Sequence, residues 1–128
     1  MIDDMDRDTG EACTRHLTAF CPTYHRAIEL IGRRWTGAIL RAMLSGEARF
    51  SEIAAAVPGL SDRLLSERLK ELEAEGIVRR TVVPSTPVRV DYALTDMGLA
   101  LNEVIVAVSH WAEHWLAPTD ERANLPKR

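Results

Sequence analysis

The chain has 128 residues, of which 46% are hydrophobic, 27% charged and 5% aromatic, with a formal net charge of −3. That is one domain's worth of sequence with enough apolar side chains for a core, which excludes disorder along the whole length. No apolar run exceeds five residues, so a transmembrane helix is excluded, and two cysteines are too few for a disulfide scaffold.

The first residues, Met1-Ile2-Asp3-Asp4-Met5-Asp6, are acidic where a signal or transit peptide is basic, which predicts a cytoplasmic protein. Asp3, Asp4, Asp6, Asp8 and Glu11 against Arg7 give residues 1–12 a local charge of −4, so the rest of the chain sums to +1. Of the 15 basic residues after position 12, 13 are arginine, whose planar fork holds phosphates and base edges in a way lysine cannot. The acidic average therefore does not exclude nucleic acid.

Residues 1–19 show no sustained period and are expected to form a mobile acidic arm. From Pro22 the pattern becomes helical, with Tyr24, Ala27 or Ile28, and Ile31 on one side and Gly32 as the stop. A second helix carries Trp35, Ile39, Leu40, Met43 and Leu44 and ends at Ser45-Gly46. Phe50, Ile53, Ala54 and Val57 make a short third helix, closed by Pro58-Gly59. Ser61 then caps a longer helix over 61–75, with Leu65, Leu69 and Leu72 as its inner stripe, Leu64 beside them and Gly76 just past its end.

The period next changes from 3.6 to 2. Val78 and Val82, then Val88, Val90, Tyr92 and Leu94, alternate with Arg79, Thr81, Arg89 and Asp91, on either side of Pro84-Ser85-Thr86-Pro87. This predicts a two-stranded hairpin with a stiff tip. Thr95 is expected to cap one last long helix reaching about residue 116. Its apolar row runs through Met97, Leu101, Val104, Val108, Trp111 and Trp115, widened by Ile105 and Ala112 beyond what one core needs. The tail over 118–128 is polar.

A short helix, a tight turn and a longer helix make a helix-turn-helix, and the hairpin behind it makes the motif winged. The predicted fold class is α+β and mainly helical. Opposite the leucine stripe, the longer helix presents Ser61, Asp62, Arg63, Ser66, Glu67 and Lys70. Arg63 can pair with guanine O6 and N7, Ser66 can donate or accept, and Asp62 and Glu67 can accept from cytosine N4 although acids near phosphates repel. Arg89, at the base of the wing, suits a phosphate run or a neighbouring minor groove. The bland alternative is a helical hairpin with a solvated charged face, in a module that binds only protein.

Several stretches together resemble the HxlR family of bacterial winged helix-turn-helix transcriptional regulators. They are Cys21-Pro22, Leu30-Ile31-Gly32-Arg33-Arg34-Trp35-Thr36, Arg49-Phe50-Ser51-Glu52-Ile53, Leu60-Ser61, Arg68-Leu69-Lys70-Glu71-Leu72-Glu73, Gly76-Ile77-Val78, and the segment from Pro84 through Tyr92 to Leu94-Thr95. The Cys-Pro start and Gly-Arg-Arg-Trp are most similar to its thiol-sensing branch of quinone and disulfide-stress repressors. The resemblance covers about 21–116. It implies a recognition helix over 61–75, a wing over 84–88 that brings Ser85 and Thr86 to DNA, and Arg49 as a further contact. It also implies a homodimer built from the N-terminal and C-terminal helices, with Leu101, Val104, Ile105, Val108, Trp111, Ala112 and Trp115 in the interface. Glu47 departs from a usual proline, and Asp62 from a proline or basic residue at the base-reading turn, so no operator sequence carries over.

Cys21 has a physical case of its own. With Pro22 at the first helical position it sits at the N-cap, where the helix dipole stabilises a thiolate, and His25 and Arg26 follow one turn on. A stabilised thiolate is what oxidants and quinones attack; the bland alternative is a buried small hydrophobe. Cys13, His16, Cys21 and His25 have a compact spacing for zinc but lack the glycines of zinc knuckles, and Pro22 starts a helix inside the set. His110 and His114 read as surface or interface histidines before they read as a metal pair. Trp35, Trp111 and Trp115 read as core and interface aromatics.

The expectation is a cytoplasmic, non-enzymatic homodimer with its DNA-binding and dimerisation unit over 20–117. It would bind a near-palindromic operator in double-stranded DNA, with half-sites about 34 Å apart. Repression is expected, with Cys21 and His25 as the site where quinone, electrophile or oxidant acts, no resident cofactor and no membrane partner. Alternatives are a ligand- or metal-responsive regulator that does not use Cys21 and a protein-interaction module. A cysteine enzyme using Cys21 and His25 would need an oxyanion turn or phosphate loop that is not found near them.

Overall fold

The computed structural model describes residues 19–118. Two compact units are distinguished, 1–37 and 38–128, and each is described by itself; the expected N-terminal arm, almost all of the tail, Cys13 and His16 lie outside the described residues.

In the first unit, Pro22 starts helix α1 (Pro22–Ile31) with its ring at the first turn, where a missing N–H costs nothing. Cys21 is the extended N-cap residue, its sulfur accepting from the Tyr24 N–H at 3.5 Å. Gly32 closes the helix by donating to the Ile28 carbonyl at 2.8 Å. No residue of α1 is buried; Tyr24 and Ile28, four apart, expose an apolar edge, and Phe20 just ahead of the helix is exposed as well. Trp35 has φ +77°, a left-handed conformation that costs a bulky L-residue about 1–3 kcal/mol. Its ring lies 5.4 Å from the Arg34 guanidinium. Helix α2 (Thr36–Leu44) therefore begins one residue after Trp35, which the sequence pattern had placed inside it.

The second unit contains the core. Ile39, Leu40 and Met43 from α2, Ile53 from α3 (Phe50–Ala56), Leu65, Leu69 and Leu72 from α4 (Asp62–Ala74), and Ile77 and Val78 leading into the sheet are all buried. Full burial of each Leu or Ile contributes about 1.5–3 kcal/mol of hydrophobic stabilisation. The short turn after α3 uses Gly59 at φ +89° to reverse the chain, and the Ser61 hydroxyl accepts from the Leu64 N–H at 3.1 Å to cap α4.

The end of α4 fixes the wing. Gly76, at φ +82°, donates to the Glu73 carbonyl, and Ile77 donates to that of Leu72, closing a Schellman motif. Strand β1 (Val78–Val83) follows at once and pairs antiparallel with β2 (Arg89–Leu94), Val78 opposite Leu94 and Val83 opposite Arg89. The Tyr92 N–H also donates to the Ala48 carbonyl at 2.7 Å, with a bridge between Arg49 and Asp91 that ties the start of α3 to β2.

The last helix is not continuous as expected from Thr95 onward. Thr95 caps a single short turn, α5 (Asp96–Leu99), and α6 (Asn102–Trp115) follows a break at Ala100 and Leu101. Thr95 donates to the carbonyls of Gly76 and Ile77 and accepts from the Gly98 N–H. Gly98 is buried against the Ile77 carbonyl so closely that a Cβ there would collide with it. This docking just past the end of α4 sets the direction of α5. The chain then tightens, Leu101 donating to the Gly98 carbonyl, before α6 sets off.

Glu52 closes the N-terminus of α3: its carboxylate accepts from the N–H groups of Arg49 at 2.9 Å and Ala48 at 3.1 Å. Those two hydrogen bonds, with the Arg49 charge adding to them, hold its carboxyl below the ordinary value. A lowered folded pKa adds stability that is present above the unfolded value of about 4.3 and disappears as pH falls through the folded value. Glu52→Gln is expected to keep the fold and to flatten the loss of stability between about pH 5 and pH 3. Denaturant melts across that window check this; identical acid slopes for the two proteins would remove Glu52 as a contributor.

Candidate nucleic-acid interface

Burial of Leu65, Leu69 and Leu72 decides which side of α4 faces out. Asp62, Arg63, Glu67 and Lys70 are exposed on the opposite side, and Ser66 is half-buried between them. With 13 residues, α4 is about 20 Å long, enough to lie in a major groove. Its first turn is also its positive end. The Ser61 hydroxyl, already accepting from Leu64, retains its proton to donate.

The two arginines singled out from the sequence differ in company. Arg63 is 88% exposed, and its Nε lies 3.4 Å from Glu67 Oε1, a loose pair that solvent screens and that a base edge can displace. Arg89 opens β2 with its Nε 3.2 Å from Asp91 Oδ1. Arg49 is exposed at the start of α3, across the bridge to Asp91. Arg68, on the same helix as Arg63, is turned inward and held by Glu71 at 3.2 Å. At the tip, Ser85 spends its hydroxyl on the Pro87 carbonyl at 2.6 Å, stiffening the loop, while Thr86 and Val88 stand exposed.

One cleft was not read from the sequence. Ser66, Leu69, Lys70 and Glu73 of α4 form one wall, and Arg80 of β1 and Tyr92 of β2 form the other. Arg80 and Tyr92 are directly paired across the strands and so point to the same face. The period-2 alternation contained the signal, since both share a parity with Val78 and Leu94, but only the register joins them.

At the other functional candidates, Cys21 is half-buried and disulfide-bonded. The sequence holds one other cysteine, Cys13. His25 follows one turn later, its Nε2 3.1 Å from Glu29 Oε1 and its ring 5.3 Å from that of Phe20. Helix α6 has no buried residue. The expected interface residues divide into two rows: Leu101, Ile105 and Ala112 are half-buried, with Ser109 among them accepting from Arg41 of α2 at 2.8 Å. Val104, Val108, Trp111 and Trp115 form the outer row, the last three more than half exposed. His110 and His114 are exposed, and His114 stacks edge-on with Trp115. No cluster of three or more metal-ligating side chains occurs among the described residues, and no helix among them is long and apolar enough to cross a membrane.

Residues 30–120 match the HxlR-like helix-turn-helix family. Over 99 residues the chain is 50% identical to the uncharacterised HTH-type transcriptional regulator YvaP of Bacillus subtilis (strain 168), covering 77% of this chain and 92% of that protein. The reduced form of the transcriptional regulator YodB from B. subtilis is similar in structure, with a TM-score of 0.68 at 44% identity over 79% of this chain and 99% of the other. Quinone-bound YodB matches with a TM-score of 0.64 at 40% identity, over 75% and 100% of the two chains. By that family match and those likenesses, the chain belongs to the HxlR-like helix-turn-helix family of DNA-binding transcriptional regulators.

Proposed function

We propose that the protein is a homodimeric cytoplasmic repressor of the YodB type, binding a near-palindromic operator through α4 and the wing and switched by quinone or oxidant at Cys21. The observation that carries the DNA half is the outward side of α4, where Asp62, Arg63, Glu67 and Lys70 are exposed above a fully buried leucine stripe. Two copies joined along α1 and α6 would present two recognition helices to successive major grooves, with residues 20–117 acting as the working unit. The outer row of α6 and the exposed apolar side chains of Phe20, Tyr24 and Ile28 support that assembly, because apolar surface of this kind calls for a partner.

The switch half rests on Cys21 at a helix N-terminus and on likeness to a protein solved with quinone bound. A reduced Cys21 thiolate would add to a hydrogen-bearing quinone ring carbon, forming one C–S bond as the ring C=C electron pair moves onto a carbonyl oxygen. That oxygen takes a proton from solvent, and the ring C–H proton shifts to the second oxygen, leaving a hydroquinone thioether. Under a two-electron oxidant, two thiols would instead join, losing two protons and two electrons to it. With two cysteines in the sequence, any protein disulfide at Cys21 is made with Cys13 of the same chain or with a cysteine of a second copy.

Fluorescence-anisotropy titration with DNA from upstream of the protein's own gene, against scrambled competitor, tests the DNA reading. Arg63→Ala is expected to lower operator affinity by about tenfold or more and to relax base preference, whereas Arg89→Ala weakens all duplexes alike and reduces the salt slope by about 1. Equal losses on every sequence from both variants would overturn the division into base reader and backbone anchor.

A further inference from the structure

Three cations around α4 pair with carboxylates: Arg63 with Glu67, Arg68 with Glu71 and Arg89 with Asp91. Lys70 and Arg80 have no acidic partner among the described residues, and they face each other across the cleft between α4 and the hairpin. Tyr92 stands beside Arg80 through the strand pairing and Ser66 lies one turn before Lys70, so two hydroxyl-bearing residues line the same space. Glu73 lines it too. Two cations and one carboxylate leave the cleft at +1, the charge that balances one phosphodiester.

We infer that this cleft seats a backbone phosphate of the DNA, with Arg80 and Lys70 as its cations and the Tyr92 hydroxyl as a directional donor. The inference rests on α4 being the helix that enters the major groove. Lys70 lies eight residues beyond Asp62, about 12 Å along the axis. When the first turns of α4 meet base edges, that third turn is drawn out toward the strand that borders the groove. Arg80 reaches the same strand from the wing side. The walls are rigid, because the Schellman turn binds β1 to the end of α4 and the Tyr92 N–H anchors β2 to Ala48. A phosphate held between two fixed elements would set how deeply α4 enters the groove, and it carries no sequence information itself.

The test measures operator and scrambled duplexes over a salt series with wild type, Arg80→Gln, Lys70→Gln and Arg80→Lys, with melting temperatures as a folding check. Arg80→Gln is expected to weaken both duplexes by the same factor, about tenfold near 0.1 M salt, and to lower the salt slope by about 1. Lys70→Gln does the same, and Arg80→Lys recovers the slope. An unchanged slope in Arg80→Gln, while Arg63→Ala still alters base preference, overturns the phosphate seat and leaves the DNA reading standing. A loss confined to the operator makes Arg80 a base reader and also overturns it. If inorganic phosphate stabilises wild type but not Arg80→Gln while their DNA slopes agree, the cleft serves a free anion and the inference fails. Wild type that binds no duplex removes both readings together.

Discussion

Cys21→Ser is expected to bind the operator as tightly as the reduced wild type and to lose its response to quinone and to a two-electron thiol oxidant. Serine is a strong N-cap residue, and its oxygen can replace the sulfur that accepts from the Tyr24 N–H, so α1 keeps its start. What disappears is the nucleophile: a serine hydroxyl does not ionise near neutral pH, whereas a thiol at a helix N-terminus does. Anisotropy titrations before and after treatment check this, with wild type reduced beforehand because Cys21 occurs disulfide-bonded. A wild type whose affinity shifts tenfold or more beside a variant that shifts less than twofold supports the switch. A fully responsive variant would falsify it and redirect the search for an effector to a site away from the N-terminal helix. Non-reducing electrophoresis of the oxidised wild type separates the two disulfide possibilities, since a bond within one chain migrates as monomer and a bond between copies as dimer.

The second large effect is expected from the outer row of α6. Val108 is 58% exposed and lies between Val104 and Trp111 with no buried neighbour on its own helix. Val108→Asp therefore disturbs little inside one chain and places a charge in the proposed dimer seam. Sedimentation velocity is expected to show wild type as a dimer and the variant as a monomer at micromolar concentration. Operator affinity should fall by about 100-fold or more, because a dimer gains its second half-site at high effective concentration and a monomer does not. Trp111→Ala should act in the same direction, since truncating a buried interface tryptophan commonly costs about 2 kcal/mol or more. A monomeric wild type, or a variant that remains dimeric, would overturn the role given to α6. The half-buried row of Leu101, Ile105 and Ala112 is the internal comparison. Substitutions there should lower the melting temperature as well, because that row faces the rest of its own unit, where Arg41 reaches Ser109.

The two effects differ in how they depend on the rest of the molecule. Removing Cys21 changes a chemical response and leaves the resting affinity; charging Val108 changes the resting affinity on every duplex and under every redox condition. Measured together on one operator, they separate the sensing function from the assembly function.

Several elements were legible because their signals are local. Pro22 after Cys21, Gly76 after α4 and the leucines at 65, 69 and 72 each report a constraint within one or two turns of backbone, and α1, α3, α4 and both strands fall within a residue or two of the expected bounds. The family resemblance has the same source, since its motifs are caps, turns and stripes. Two local expectations needed correction for non-local reasons. Trp35 sits ahead of its helix in a left-handed turn, and the last helix breaks because Gly98 and Thr95 are held by the carbonyls at the end of α4, some twenty residues earlier in the chain. No periodicity over 95–116 contains that docking.

By itself, then, the amino-acid sequence determined the helix-turn-helix, the wing, the buried stripe and the family, because hydrogen-bonding periods and turn residues act between neighbours in the chain. The tertiary structure alone decided which cations among the described residues face a carboxylate, that Arg80 and Tyr92 line a cleft with α4, that α6 separates into an inner and an outer row, and that Cys21 is disulfide-bonded. Each of those depends on strand register, docking angle or the approach of distant side chains, which are set by packing after the local elements have formed.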